Sequence, residues 1–140
     1  MSEVCLNLLT KIQFSPKTDP LERIWSLEHW SKSVERVKNI SKKNESNNYQ
    51  RFEMIFDAEN DVYDCVEIER FRHENEIEVY HLVPPPNINH LTAKWWIDPQ
   101  QGNYLFAKRK ILLDSSVYTP ILAQKMFLLL RANLEKLVEM

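Results

Sequence analysis

The sequence predicts an α+β domain: a curved antiparallel sheet of about seven strands wrapped around one long C-terminal helix, with two short helices after the first strand. Three observations predict it. Strand-like segments follow one another through the middle of the chain while helical spacing is confined to two places, and such segregation indicates α+β rather than a doubly wound parallel sheet. From Thr119 or Pro120 to the end, apolar residues recur at Leu122, Met126, Leu129, Leu130, Leu134 and Leu137, and Ile121, Phe127 and Val138 extend them around most of the circumference. A helix apolar nearly all round is buried or faces a cavity. Finally, 140 residues without an internal linker suit one domain, 1–140, able to bury a core without disulfides or metal.

The elements follow in order. Glu3 to Phe14 alternates loosely, with Val4, Leu6 and Leu8 on one side, and reads as the first strand. Pro16 and Asp19-Pro20 end it, with Asp19 as N-cap and Pro20 at the first helical position. Leu21, Ile24, Trp25 and Leu27 give one short helix, and Trp30, Val34 and Val37 a second. The polar stretch Ser41 to Asn48 (SKKNESNN) reads as a loop. Strands are then expected over Arg51–Phe56, Val62–Phe71 and Ile77–Val83, with turns at Asp57–Asp61 and Arg72–Glu76. Pro84-Pro85-Pro86 cannot continue a central strand, because proline donates no ladder hydrogen bond. His90 to Ile97 alternates cleanly, the DPQQGN stretch signals a hairpin turn, and Tyr104 to Leu113 closes the sheet.

Composition excludes several classes. Hydrophobic residues make up 44%, charged residues 27%, and the net charge is -2. No basic excess marks a nucleic-acid partner. No apolar run reaches the ~18 residues of a membrane span. The N-terminal stretch carries Glu3 and no basic region, so a signal peptide is not expected and the protein reads as cytoplasmic. Cys5 and Cys65 form no CxxC pair and fit a reducing compartment. Gly102 stands alone, which rules out a P-loop or a GxGxxG fingerprint. The four histidines lack metal-ligand spacing, so neither a metal nor a cofactor is expected.

The order of elements, with the strings LEHWSKSVERVKNI, HLVPPPNINHLTAKW and RANLEKL, resembles the START / Bet v 1-like superfamily, and within it the polyketide cyclase/dehydrase group with its bacterial aromatase/cyclases. The resemblance covers nearly the whole chain. It implies a helix-grip fold whose long helix crosses the concave sheet and encloses a deep cavity. It places Trp30, Val34 and Val37 on the cavity wall, Leu82, Ile88 and Trp95 at further pocket positions, and Phe127 on the inner face of the helix. The sequence departs from the family pattern at several of these. Leu82 stands at an arginine position, Val34 and Val37 at aromatic ones, and Phe127 at an asparagine; a second arginine position falls at Glu69 or Arg70 by register. The implied cavity is more aliphatic than a typical cyclase's.

An aromatase/cyclase of this kind holds a poly-β-ketone chain, promotes an intramolecular aldol closure and assists loss of water. It needs an apolar cavity that positions the chain, a donor for the developing enolate and a proton carrier. Arg70, at the end of DCVEIER, is the candidate donor. Glu67 and Tyr63 are candidate proton carriers, though regular strand alternation puts them opposite Arg70 and only a bulge brings all three together. An inward Glu67 would have a raised pKa suited to proton transfer. His81 shares a face with Ile77 and Val79 and reads as a hydrogen-bonded core histidine, whereas His90 points outward. An acyl carrier protein is the implied partner, with Lys32, Arg36, Lys38, Lys42 and Lys43 as a basic rim for it. Two other functions remain open: a non-catalytic carrier of a hydrophobic small molecule such as a lipid, quinone or aromatic metabolite, and an interaction module whose pocket is filled by side chains.

Overall fold

The computed structural model describes residues 2–33, 37–56, 64–85 and 87–139. Strand β1 (Glu3–Gln13) leads to two short helices, α1 (Pro20–Trp25) and α2 (Leu27–Ser33). Six strands follow: β2 (Val37–Ser46), β3 (Tyr49–Phe56), β4 (Asp64–His73), β5 (Glu76–Val83), β6 (His90–Ile97) and β7 (Tyr104–Asp114). Helix α3 (Pro120–Glu139) ends the chain. The strands form one sheet in the order β1-β7-β6-β5-β4-β3-β2, and every neighbouring pair is antiparallel. The meander from β2 to β7 needs only local connections; α1 and α2 carry the chain from the β1 edge to the β2 edge.

Local chemistry explains the elements. The Asp19 carboxylate accepts from the Glu22 backbone N–H at 3.2 Å, and Pro20 opens α1, so the expected cap is present. Asp98 accepts from the Gln100 N–H at 3.0 Å and starts a 3₁₀ turn over Pro99–Gln101. The stretch Ser41 to Asn48 differs from expectation. Most of it is edge strand β2, paired with β3 and interrupted by two register shifts. An edge strand exposed on both faces has no apolar alternation to reveal it, and its lysines and bulges are the usual guards of an unpaired edge. Val37 belongs to this strand and not to the second helix.

Inward side chains alternate along the strands: Phe52 and Met54 on β3, Val66, Ile68 and Arg70 on β4, Ile77 and Val79 on β5, Leu91, Ala93 and Trp95 on β6, Leu105, Ala107, Arg109, Ile111 and Leu113 on β7. They form two apolar clusters. The larger joins the sheet to α1 and to Leu134, Leu137 and Val138 at the end of α3. The smaller is Leu91, Ile111 and Leu113, packed by Leu122, Met126 and Leu130 from the first part of α3. The helix thus rests on the sheet at two places and bridges the space between them. Its far side is not covered: Ile121 and Leu128 are exposed, although the sequence pattern predicts burial around most of the helix.

Gly102 has φ +89° and ψ −158°, a combination essentially confined to glycine. Gly102→Ala is expected to cost about 1–3 kcal/mol in urea denaturation, with the strain coming from the backbone, since an added Cβ would meet only ordinary contacts with Tyr104 at 3.8 Å.

Candidate functional site

The site begins with a charge that cannot stay unpaired. Arg70 alternates in phase with Val66 and Ile68, so β4 points it into the core, where it is 1% exposed. Its Nε and one Nη donate to Gln50 Oε1 on β3, with Nε at 2.9 Å. The two Nη groups also donate to the backbone carbonyls of Ile24 at 2.8 Å and Trp25 at 2.9 Å. These are final carbonyls of α1, which no helical N–H can satisfy. Each also receives a second donor: Trp30 Nε1 at 2.6 Å on Ile24 O, and Gln50 Nε2 at 2.9 Å on Trp25 O. The guanidinium lies 5.1 Å from the ring centroids of both Trp25 and Phe52. Burial, with Arg72 adding repulsion, pushes its pKa down to about 9, so it stays charged at neutral pH. Arg70 is therefore the lock between sheet and helices.

Beyond this lock lies a cavity of about 250 Å³ between the sheet and α3. Trp30, Phe52, Met54, Val79, Leu91, Trp95, Leu130 and Leu134 make it mostly apolar. Leu129 lines it and is also 46% exposed, marking a mouth beside the helix. The polar lining consists of Arg70, Arg109, His81 and Asn133, and no carboxylate lines it among the described residues. A cavity of about 150 Å³ holds benzene, so this one has room for a ligand of one or two rings.

Arg109 is the unusual member. It is 8% exposed, and among the described residues no acceptor or carboxylate meets its guanidinium; the Trp95 ring centroid lies 5.9 Å away. Ala93, directly across the β6–β7 ladder, leaves space beside it. Burial lowers its pKa to about 10, which keeps it cationic. On the same wall, His81 Nδ1 and Trp95 Nε1 are buried without a hydrogen-bond partner. Burial and the nearby Arg109 charge lower the His81 pKa to about 4, against a hydrogen bond to the Leu91 backbone. His81 is thus neutral at pH 7.

The sequence-derived candidates are dispersed by this geometry. Arg70, Trp30 and Trp95 line the cavity, but Arg70 spends most of its donors on the protein. Glu67 is on the opposite face of β4, where Arg51 holds it at 2.9 Å and Lys43 at 3.6 Å; the Arg51 hydrogen bond holds its pKa below the usual carboxylate range, opposite to the shift a buried acid would show. Leu82 faces outward and is 45% exposed, since strand parity gives the inner position to His81. Ile88 packs on the smaller cluster, Val37 on the larger, and neither these nor Phe127 is in the lining. Tyr63 and Val34 lie outside the described residues. The helix supplies an asparagine after all, at Asn133. Of the basic rim, Lys42 pairs with Glu45 and Lys43 with Glu53 and Glu67, while Arg36 is outside the described residues. His73, Glu76 and Glu78 converge at the β4–β5 hairpin, where Lys94 already holds Glu76 at 2.7 Å. Sequence reasoning missed Arg109, although its signal was present: a charge in the apolar phase Leu105, Ala107, Ile111, Leu113 of β7.

Two stability measurements separate the arginines. Arg70→Met leaves Gln50 Oε1 buried and unpaired and is expected to cost about 3 kcal/mol or more in urea denaturation. Arg109→Met removes a buried charge without orphaning a partner and is expected to leave stability within about 1 kcal/mol of wild type or raise it. A third concerns pH. The folded pKa of His81, about 4, is below its unfolded value of about 6.5, so the unfolded chain binds more protons between these values. Stability should fall by about 1–3 kcal/mol as pH drops through that window, and His81→Gln should remove most of this slope.

No protein-family model matches the sequence, and no curated protein sequence matches it. Solved structures do. The di-domain ARO/CYC StfQ from the steffimycin biosynthetic pathway superposes with a TM-score of 0.77 at 16% identity, over 95% of this chain and 48% of StfQ. The Zhui aromatase/cyclase from Streptomyces sp. R1128 gives 0.66 at 12% identity, over 98% of this chain and 92% of that one. A START superfamily protein from Mycobacterium smegmatis gives 0.69 at 10% identity, over 96% and 94%. The chain spans about half the length of the di-domain proteins it matches. Among the described residues no helix is long and apolar enough to cross a membrane. The seven-stranded antiparallel sheet closed by α3 is the helix-grip fold that polyketide aromatase/cyclases share with START superfamily proteins.

Proposed function

We propose that this protein is an aromatase/cyclase-like enzyme that binds a poly-β-ketone chain in the cavity and promotes its aldol cyclisation and dehydration. The observation that carries the reading is Arg109, a buried guanidinium with no hydrogen-bond acceptor among the described residues, on the wall of an apolar cavity. The methylenes of such a chain are flanked by carbonyls and lose a proton readily. The resulting charge rests on a ketone oxygen, where a fixed donor in a dry site is worth most. Confinement between Trp30, Trp95 and Leu130 brings the enolate carbon toward a second ketone; bond formation closes the ring, and loss of water completes the aromatic product. Neutral His81 is the acceptor available for a proton, and Arg70 contributes wall and order. An acyl carrier protein is the partner this reading requires to deliver the chain.

One observation favours a second reading, a non-catalytic carrier of an apolar metabolite. With Glu67 on the outer face, His81 is the only neutral base in the described lining, and a pKa of about 4 makes it a weak one. Incubation of wild type and Arg109→Met with a carrier-bound poly-β-ketone, read by mass spectrometry, decides between the two. The enzyme reading expects wild type to direct products to one cyclised, dehydrated aromatic, and the variant to return the spontaneous mixture. A wild-type mixture identical to the uncatalysed one, with an apolar molecule co-purifying, selects the carrier.

A further inference from the structure

We infer that this cavity also takes a small apolar acid, a one- or two-ring carboxylate whose anionic end pairs with Arg109 while its rings lie between Trp30, Trp95 and Leu130. The inference rests on the proposed ligand site, and it goes further: besides the oxygen of a tethered chain, Arg109 meets the carboxylate of a free acid of the same aromatic kind.

The charge inventory carries it. The described lining holds two arginines and no carboxylate. Arg70 is answered by Gln50 and two carbonyls, whereas Arg109 is answered by nothing among the described residues. Taking a cation out of water is unfavourable unless a partner offsets it, and on a residue only 8% exposed the Arg109 guanidinium has no acceptor among the described residues. A carboxylate completes it: the guanidinium fork donates to both of its oxygens at once. The same wall offers a further donor in Trp95 Nε1, buried and unpartnered, and a carboxylate has lone pairs to spare for it. His81 adds no competing negative charge, and Ala93 opposite Arg109 leaves the approach open. The volume of about 250 Å³ has room for an acid of one or two rings.

The test is calorimetric titration at neutral pH with 2-naphthoate and with 2-naphthamide, its uncharged counterpart of the same shape. Wild type is expected to bind the carboxylate at least about tenfold more tightly than the amide. Arg109→Met should bind both alike, and Arg109→Lys should keep part of the preference. Equal binding of the two probes by wild type overturns the inference while leaving the cavity a ligand site, with Arg109 reserved for an enolate. A folded Arg109→Met that retains the preference overturns it too. If neither probe binds, the ligand-site reading falls with it. The wild-type comparison decides the matter even if the methionine variant does not fold.

Discussion

The structure depends on finding acceptors for one buried cation. Arg70 is placed inside by strand alternation, and among the described residues no carboxylate pairs with it. It is satisfied instead by the open end of α1, whose last carbonyls have no helical donors of their own. Helices of six and seven residues are too short to persist alone, so α1 and α2 take their positions from this contact and from the packing around it. Trp30 follows, because its indole N–H shares the Ile24 carbonyl, and with Trp30 comes one wall of the cavity. Next to Trp30 on α2, His29 meets the Leu137 carbonyl of α3 at 2.8 Å, so the same short helices also fix where the long helix lies.

Arg109 reaches the interior by the same route and meets the opposite fate. Among the described residues no acceptor in the sheet or α3 answers its charge. A protein tuned for stability alone would place an aliphatic residue there, as the neighbouring Ile111 and Leu113 illustrate. Keeping a guanidinium on an apolar wall makes sense as preorganisation for a negative charge that arrives with the ligand or develops on it. The gap between the two apolar clusters supplies the space, and the span of α3 between its two anchor points keeps that gap from collapsing.

Much of this was legible in the chain. The alternation from His90 to Ile97 marks β6 at its observed ends, and Asp19-Pro20 marks the start of α1. Strand parity also holds the outward positions of Glu67 and Leu82: apolar Val66 and Ile68 flank the first, and Ile77 and Val79 set the phase for the second. The family resemblance puts Leu82 in the pocket against that parity; the ladder to β4 shifts register at this point, yet Leu82 stays on the outside, 45% exposed. What was hidden is non-local. Edge strand β2 is visible only through its hydrogen bonds to β3. Two arginines break an apolar phase in the same way, and which of them keeps spare donors depends on α1 ending over β4 rather than over β7, a fact that no local pattern contains.

The division of labour between the two arginines is the claim from which the rest follows, and side-chain NMR of their Nε–H groups tests it most directly. In ¹⁵N-labelled protein titrated with 2-naphthoate, the account predicts that the Arg109 Nε–H signal shifts saturably while that of Arg70, held by Gln50 at 2.9 Å, stays sharp and in place. A shift of Arg70 with Arg109 unmoved would contradict the account, making the lock the ligand-binding group and leaving the unpaired arginine without a role.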